Sequence, residues 1–225
     1  MSFNTFFDWF DLNGQLLLNA TWETIYMVAV AGLVGFAIGT PLGVILHTTK
    51  KGGLLENSRI NRLLGAIINV GRSIPFLVLM VAIIPVTKFL IGTFIGTTAA
   101  IVPLTIGAVP FVARLIEGAL LEVPSGLVEA AQSMGATPQQ IITKILLPEA
   151  LPTIVNSVTI TLVTLVSYSA MAGTVGGGGL GDVAIRYGFH RYDTVIMTIT
   201  VVMLILLVQV IQSIGDAIVR RVDHR

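Results

Sequence analysis

The chain has 225 residues, of which 54% are hydrophobic and only 11% are charged, whereas about 25% of the residues in a soluble domain are charged. Thirteen basic and twelve acidic side chains are too few to cover a soluble protein of this length, so the composition argues against a water-soluble fold and indicates a chain surrounded by lipid. The absence of cysteine excludes disulfides and cysteine chemistry, and a net charge of +1 without a basic patch argues against a nucleic-acid partner.

Residues 1–23 precede the first apolar stretch and contain Asp8, Asp11 and Glu23 but no lysine or arginine. A secretory signal peptide needs a basic leader, so we expect this segment to be retained. Its aromatic residues favour a position along the external membrane interface, and a disordered tail is the alternative. These aromatic residues are Phe3, Phe6, Phe7, Trp9, Phe10 and Trp22.

Five apolar segments are long enough to cross a membrane, because about 20 helical residues span a hydrocarbon layer of roughly 30 Å. The third contains Pro103 and Pro110 and is short, so we expect it to be kinked or flanked by partly buried residues. The sequence therefore predicts an all-α integral membrane protein with five transmembrane helices. The predicted spans are residues 24–46, 64–86, 97–112, 151–171 and 194–214.

Basic residues predict the orientation of these spans, because short loops rich in lysine and arginine remain in the cytoplasm. Most of them lie after the first span, between the third and fourth spans, and in the tail, residues 215–225. The opposite side receives only Lys88, Arg186 and Arg191. The N-terminus is therefore predicted to lie outside and the C-terminal tail in the cytoplasm.

The predicted spans contain almost no ionisable side chains, whereas ion-coupled carriers usually place such groups within the membrane. The three histidines, His47, His190 and His224, fall at or beyond membrane edges, where we interpret them as solvated loop residues. No lysine follows a glycine, which excludes a Walker A loop, and the glycine run 176–181 is interpreted as an external loop. The chain is therefore expected to be no enzyme and to hold no cofactor or metal, and if it acts as a carrier, the energy must come from elsewhere.

Residues 115–150 lie between the third and fourth predicted spans and are patterned as two short cytoplasmic helices. The first is predicted to start at Pro124 and Ser125 and to end at Gly135, because glycine tolerates a left-handed cap. Its apolar stripe consists of Leu127, Val128, Ala131 and Met134. The second is predicted to start with a capping box at Thr137, Pro138 and Gln140, to bury Ile141, Ile142, Ile145 and Leu146, and to stop at Pro148.

The same segment matches the pattern E-A-A-x3-G-x9-I-x-L-P without a mismatch, and the chain thereby resembles the permeases of binding-protein-dependent ABC importers. The resemblance implies that the first short helix docks into a cleft on a cytoplasmic ATPase and transmits its opening and closing to the spans. Glu129 is expected to meet a basic partner or a helix N-terminus. The implied ATPase-coupling residues are Glu129, Ala130, Ala131, Gly135, Ile145, Leu147 and Pro148.

Further blocks extend the resemblance along almost the whole chain. Residues 72–76 look like the Arg-x-x-Pro element of amino-acid permeases, and residues 167–181, 187–188 and 218–225 are similar to the methionine importer subgroup. This resemblance implies the type I importer fold in the bacterial inner membrane. It also implies two copies of the permease, two ATPase subunits that carry ATP and magnesium, and an external binding lipoprotein. The alternatives are an importer of another amino acid or small organic ion, an ion-coupled carrier or channel, and an integral-membrane enzyme.

The end of the fourth span carries Ser167, Tyr168, Ser169 and Met171. Hydroxyl groups are poorly placed against lipid, so three in succession predict a helix face turned toward the translocation pathway; hydrogen bonding between helices is the alternative for the two serines. Met171 lies one turn beyond Ser167, and we predict that its flexible thioether closes the pathway where two copies meet.

Overall fold

The computed structural model describes the backbone of residues 3–222 and the side chains of residues 13–222, and within this range all regular structure is helical. The aromatic side chains predicted at the interface before residue 13, and His224 in the tail, lie outside the described residues. The helices are α1 (Phe3–Thr48), α2 (Ser58–Ser73), α3 (Phe76–Ala82), α4 (Ile84–Ile91), α5 (Thr97–Leu121), α6 (Ser125–Ser133), α7 (Pro138–Ile141), α8 (Leu147–Glu149), α9 (Leu151–Gly173), α10 (Gly179–Val183) and α11 (Thr194–Val222). Two π-helical turns, Ile142–Leu146 and Ala184–Phe189, complete the described part.

Four of the described helices, α1, α5, α9 and α11, are long and apolar enough to cross a membrane, and the number rises to five if α2 and α3 form one broken span. All four helices extend beyond the predicted spans: α1 begins before residue 24, α5 and α11 continue past residues 112 and 214, and α9 ends two residues past residue 171. Bilayer thickness limits only the apolar part of a helix, and backbone hydrogen bonding continues until a breaker intervenes.

The second predicted span, residues 64–86, is not one continuous helix. It is interrupted after Ser73, where Ile74 has an extended backbone with φ −82° and ψ 122°. The following residue is Pro75, whose ring disfavours a helical conformation at Ile74 and which supplies no N–H group. By contrast, α5 continues through both Pro103 and Pro110.

One compact unit consists of residues 1–31, 76–105 and 162–210. Its core cluster joins the N-terminal half of α1 to α10 and α11 through Leu17, Ala20, Leu180, Val183 and Ile196. In the glycine run before and within α10, Gly176, Gly178 and Gly179 have positive φ between 75° and 79°. The run therefore forms a tight turn between two helices, and no strand precedes it within the described residues, as a dinucleotide-binding motif would require.

The second compact unit consists of residues 32–75, 106–161 and 211–225. Glycines on one face of α1 lie against α5: a Cβ atom at Gly39 would lie 2.7 Å from the Val112 side chain, and one at Gly43 would lie 2.6 Å from the Ala113 carbonyl. Small residues at this spacing let two membrane helices approach closely. A core cluster in the same unit joins the C-terminal half of α5 to α6, α7 and the π-helical turn Ile142–Leu146. It comprises Val112, Ile116, Ala119, Leu120, Val123, Ala131, Ile141, Leu146 and Ala150.

Candidate functional site

The predicted coupling segment begins with α6, which lies on the core cluster at the end of α5. Ala131 is only 2% exposed within this cluster, and Val128 packs against it. The other two members of the predicted apolar stripe behave differently, because Leu127 is 42% exposed and Met134 is 80% exposed. Sequence periodicity identifies an apolar stripe but does not say which of its edges meets the core. Only the edge with Val128 and Ala131 does so.

Gly135 ends α6 as predicted, with a left-handed φ of +79°. Its N–H donates to the Gln132 carbonyl at 2.9 Å, and the Ala136 N–H donates to the Ala131 carbonyl at 3.0 Å. This pair of bonds is the Schellman motif, which satisfies carbonyl groups left free at a helix C-terminus. The site has no steric need for glycine, because a Cβ atom there would meet nothing within 4 Å. The positive φ is therefore the reason for glycine at this position.

The second helical piece starts with the predicted capping box. The Thr137 hydroxyl accepts from the Gln140 N–H at 3.3 Å, and the Gln140 side-chain oxygen accepts from the Thr137 N–H at 2.9 Å. The predicted stop at Pro148 is wrong. Pro148 lies in the first turn of α8, where a missing N–H is tolerated, and the helix ends at Glu149 with Ala150 as its C-cap.

The predicted ATPase-coupling residues divide into two groups by burial. Glu129, Ala130, Gly135 and Pro148 are exposed. Ala131 is buried, and Ile145 and Leu147 are partly buried against the core cluster at the end of α5. The predicted buried face of the second helix is confirmed most fully by Ile141 and Leu146, each 1% exposed. The motif therefore has an exposed outer surface and an inner surface that packs on α5.

A cavity of about 480 Å³ lies between α6, the end of α5 and the loop after α1. Its wall includes groups of both charge signs, namely Lys50, Glu122 and Glu129. His47 also lines this cavity and is only 9% exposed, with no hydrogen-bond partner for its Nδ1 among the described residues. The interpretation of His47 as a solvated loop residue is wrong, because α1 continues to Thr48 and folds this residue into the packed end of the helix. His190 is exposed.

The predicted pathway residues at the end of α9 do not share one face. Ser167 and Met171 line an open groove of about 600 Å³ between α9 and α11, and Met171 is 43% exposed. Ser169 is buried, and its hydroxyl donates to the Val166 carbonyl at 2.7 Å. Tyr168 stacks on Phe76 with ring centroids 4.3 Å apart and planes within 4°. Successive helical residues differ in direction by about 100°, so three neighbouring hydroxyls take three different environments.

The structure adds two polar residues to this groove, Thr174 and Gln209. Thr174 lies in the turn directly after α9 and lines the same groove as Ser167. Gln209 lies within the last predicted span, and an amide within an apolar run was the available sequence signal. Within the described residues, no group of three or more metal-ligating side chains is arranged to hold a metal ion.

Comparison with known proteins places these features in a family. Residues 39–225 match the model of the family described as binding-protein-dependent transport system inner membrane component. The chain is 83% identical over the full length of both sequences to a protein of Vibrio cholerae described as a probable D-methionine transport system permease protein, MetI. It is 52% identical to the Pasteurella multocida protein of the same description, over 94% of this chain and 97% of the relative.

Solved structures agree with this assignment. A chain of the MetNI methionine ABC transporter in an inward-facing conformation superimposes with a TM-score of 0.93 and 52% identity, covering 94% of this chain and 98% of that chain. An amino acid ABC transporter superimposes with a TM-score of 0.80 at 19% identity over 98% of this chain and 99% of that chain, which supports the fold alone. The described helices thus have the type I importer permease fold. The chain belongs to the family of inner-membrane components of binding-protein-dependent transport systems.

Proposed function

We propose that this chain is the permease subunit of an ATP-driven importer that moves methionine, in its D form, its L form or both, across the bacterial cytoplasmic membrane by alternating access. The observation that carries the proposal is the coupling segment, in which a short helix with an exposed outer surface rests on the end of a membrane helix. The 83% identity to a relative described as a D-methionine permease supports the choice of substrate.

The outer surface of α6 suits a groove on a separate ATPase. Leu127 and Met134 are apolar yet exposed, and the small Ala130 between them permits close approach. Glu129 is exposed beside them and supplies a carboxylate for a basic side chain or a helix N-terminus of the partner. A partner that covers these residues removes apolar surface from water.

The inner surface of the motif links this contact to the membrane. Ala131 lies in one core cluster with Ile116 and Leu120 of α5, and Ile145 and Leu147 pack against the same cluster. Packed interiors transmit displacement because they have few voids and low compressibility. When the ATPase moves α6, the end of α5 moves with it.

The proposed assembly contains two copies of this chain, two cytoplasmic ATPase subunits that bind ATP and magnesium, and an external substrate-binding lipoprotein. The N-terminus lies outside and the C-terminus in the cytoplasm. In each copy, the groove with Ser167 and Met171 faces the translocation pathway, and Met171 helps to close it. Because the chain contains no cysteine, single cysteines introduced into α11, for example at Leu206 or Val210, should yield crosslinked dimers of the permease.

Reconstitution tests the proposed function directly. The permease is purified with its ATPase, inserted into vesicles and supplied with the binding lipoprotein, and uptake of labelled D- and L-methionine is measured with and without ATP. We expect ATP-dependent methionine uptake and no uptake of leucine or glutamine. Uptake by the permease alone, energised by an ion gradient, would replace the proposal with a secondary carrier. ATP-dependent uptake of a different solute would change only the substrate.

A further inference from the structure

The groove between α9 and α11 contains one side chain whose hydrogen-bonding capacity is unused. Gln209 lines the groove, is exposed, and has no hydrogen-bond partner among the described residues. It lies near the middle of α11, which runs from Thr194 to Val222. Only the apolar part of this helix, the predicted span 194–214, lies in the hydrocarbon layer, so Gln209 is within the bilayer, five residues before the end of that span.

The neighbouring hydroxyls do not form hydrogen bonds with this amide. The Thr174 hydroxyl donates to the Met171 carbonyl at 2.7 Å, and the Ser167 hydroxyl donates to the Val163 carbonyl at 3.5 Å. Lipid tails offer neither donors nor acceptors, so burying an amide there without a hydrogen bond is costly. An unpaired glutamine on a lipid-facing surface at this depth is therefore unfavourable. Gln209 must face water, another protein chain or a polar solute.

The rest of the groove is apolar and large enough for a small solute. Its wall is formed mainly by Val166, Ala170, Leu204, Ile205 and Val208. Its volume of about 600 Å³ is within the range of pockets that bind small molecules. An amide both donates and accepts hydrogen bonds, so it can bind either charged group of an amino acid, the ammonium or the carboxylate.

We propose that Gln209 binds the charged head group of the transported amino acid, while the apolar wall of the groove receives its unbranched side chain. This inference rests on the proposed function and names one residue that positions the solute during passage. Met171 lies in the same groove, and its flexible thioether adapts to an apolar side chain. The alternative is that Gln209 pairs with the second copy of the chain, and the experiment distinguishes solute binding from this pairing.

The test compares Gln209→Leu with Gln212→Leu. Gln212 is an exposed glutamine on the same helix that does not line the groove, so its replacement is matched in chemistry, and it lies one turn nearer the end of the predicted span at residue 214. Binding of labelled methionine to the purified permease–ATPase complex is measured by equilibrium dialysis without the binding lipoprotein. We expect Gln209→Leu to weaken binding about tenfold or more, because a hydrogen bond to a charged group contributes about 1.5–3 kcal/mol. Gln209→Asn should retain part of the affinity and Gln212→Leu all of it.

A second measurement uses the absence of cysteine in the chain. Gln209→Cys should react with a water-soluble thiol reagent, and methionine should slow the reaction. At Gln212→Cys, methionine should have no effect on the rate. Protection at position 209 alone would place the solute beside that side chain.

Each other outcome overturns the inference in a recognisable way. If wild type transports methionine but binds none without the lipoprotein, or if Gln209→Leu binds as wild type does, the inference is wrong and the proposed function stands. If Gln209→Leu separates the two permeases in native mass spectra, Gln209 joins the copies instead. If wild type fails to transport methionine in the presence of ATP, the proposed function itself is wrong.

Discussion

Gly135 permits a graded test of the coupling segment, because the structure separates backbone strain from steric clash at this position. Its φ is +79°, and a Cβ atom there would meet nothing within 4 Å. Replacement by alanine therefore adds only the cost of a left-handed backbone, about 1–2 kcal/mol. Asparagine visits this conformation more readily than alanine and should cost less.

Proline is the substitution at position 135 that should have the largest effect. Its ring fixes φ near −65°, which is incompatible with +79°, and it removes the N–H that donates to the Gln132 carbonyl at 2.9 Å. The combined cost should exceed about 3 kcal/mol, which is enough to prevent the Schellman turn from forming. A strain of only 1–2 kcal/mol already lowers the population of the capped turn by roughly 5- to 30-fold.

The assay is substrate-stimulated ATP hydrolysis by the reconstituted complex. We expect stimulation to fall in the order glycine, asparagine, alanine and proline at position 135, while the amount of permease in the membrane stays constant. Gly126→Ala is the matched control, because Gly126 lies in the same helix, is exposed and also has open space around its Cβ position. Alanine should be neutral or stabilising there, since glycine is about 1 kcal/mol less favourable within a helix.

Two results would refute this reasoning. Full stimulation in Gly135→Pro would mean that the Schellman turn has no part in coupling. An equal loss in Gly126→Ala would mean that any change in α6 disturbs the complex, whatever the backbone conformation. Copurification of the ATPase distinguishes lost docking from lost transmission, because a docked but uncoupled complex keeps its ATPase.

Three further predictions concern the compact unit that contains Met171. Met171→Ala should raise methionine leak or uncoupled ATP hydrolysis in vesicles, because the shorter side chain no longer fills the groove; a tight, coupled variant would make Met171 a packing residue. Tyr168→Phe should keep the stack on Phe76 and the thermal stability, whereas Tyr168→Leu should lose about 0.5–1.5 kcal/mol beyond its lost buried area; equal melting temperatures would contradict a role for the stack. Glu23→Ala should lose about 1–3 kcal/mol, because the Gly179 N–H donates to its carboxylate at 2.7 Å, and Glu23→Gln, which keeps an acceptor oxygen, should lose less; an equal loss in both would implicate the charge instead.

Local chemistry made parts of the coupling segment predictable from sequence. The left-handed cap at Gly135 and the capping box at Thr137 and Gln140 both depend on contacts between residues no more than a few positions apart. The apolar stretches likewise predicted the spanning helices, since lipid requires continuous apolar sequence. Breaks were harder to predict, because a proline ends one helix after Ser73 but lies within another at Pro103.

Tertiary packing determines the features of the site that the sequence did not predict. The burial of His47 follows from the arrangement of the α5 end and the loop after α1, which no local pattern encodes. The same holds for Tyr168, whose partner Phe76 is distant in sequence. Three hydroxyl residues in succession at the end of α9 predicted one common face, but the two serines donate to carbonyls of their own helix and the Tyr168 ring stacks on Phe76.

The contacts of α10 constrain the end of α9, next to Met171. A Cβ atom at Gly173 would lie 2.2 Å from the backbone nitrogen of Asp182, so the end of α9 and α10 touch through their backbones. On its other side α10 is tied to α1, because the Leu180 N–H donates to the Thr24 hydroxyl at 2.9 Å. Backbone contacts of this kind leave no side chain to rearrange and absorb a displacement. A partner that displaces α10 must therefore also displace the end of α9, only two residues beyond Met171. Such a partner could act on the proposed gate independently of the coupling segment.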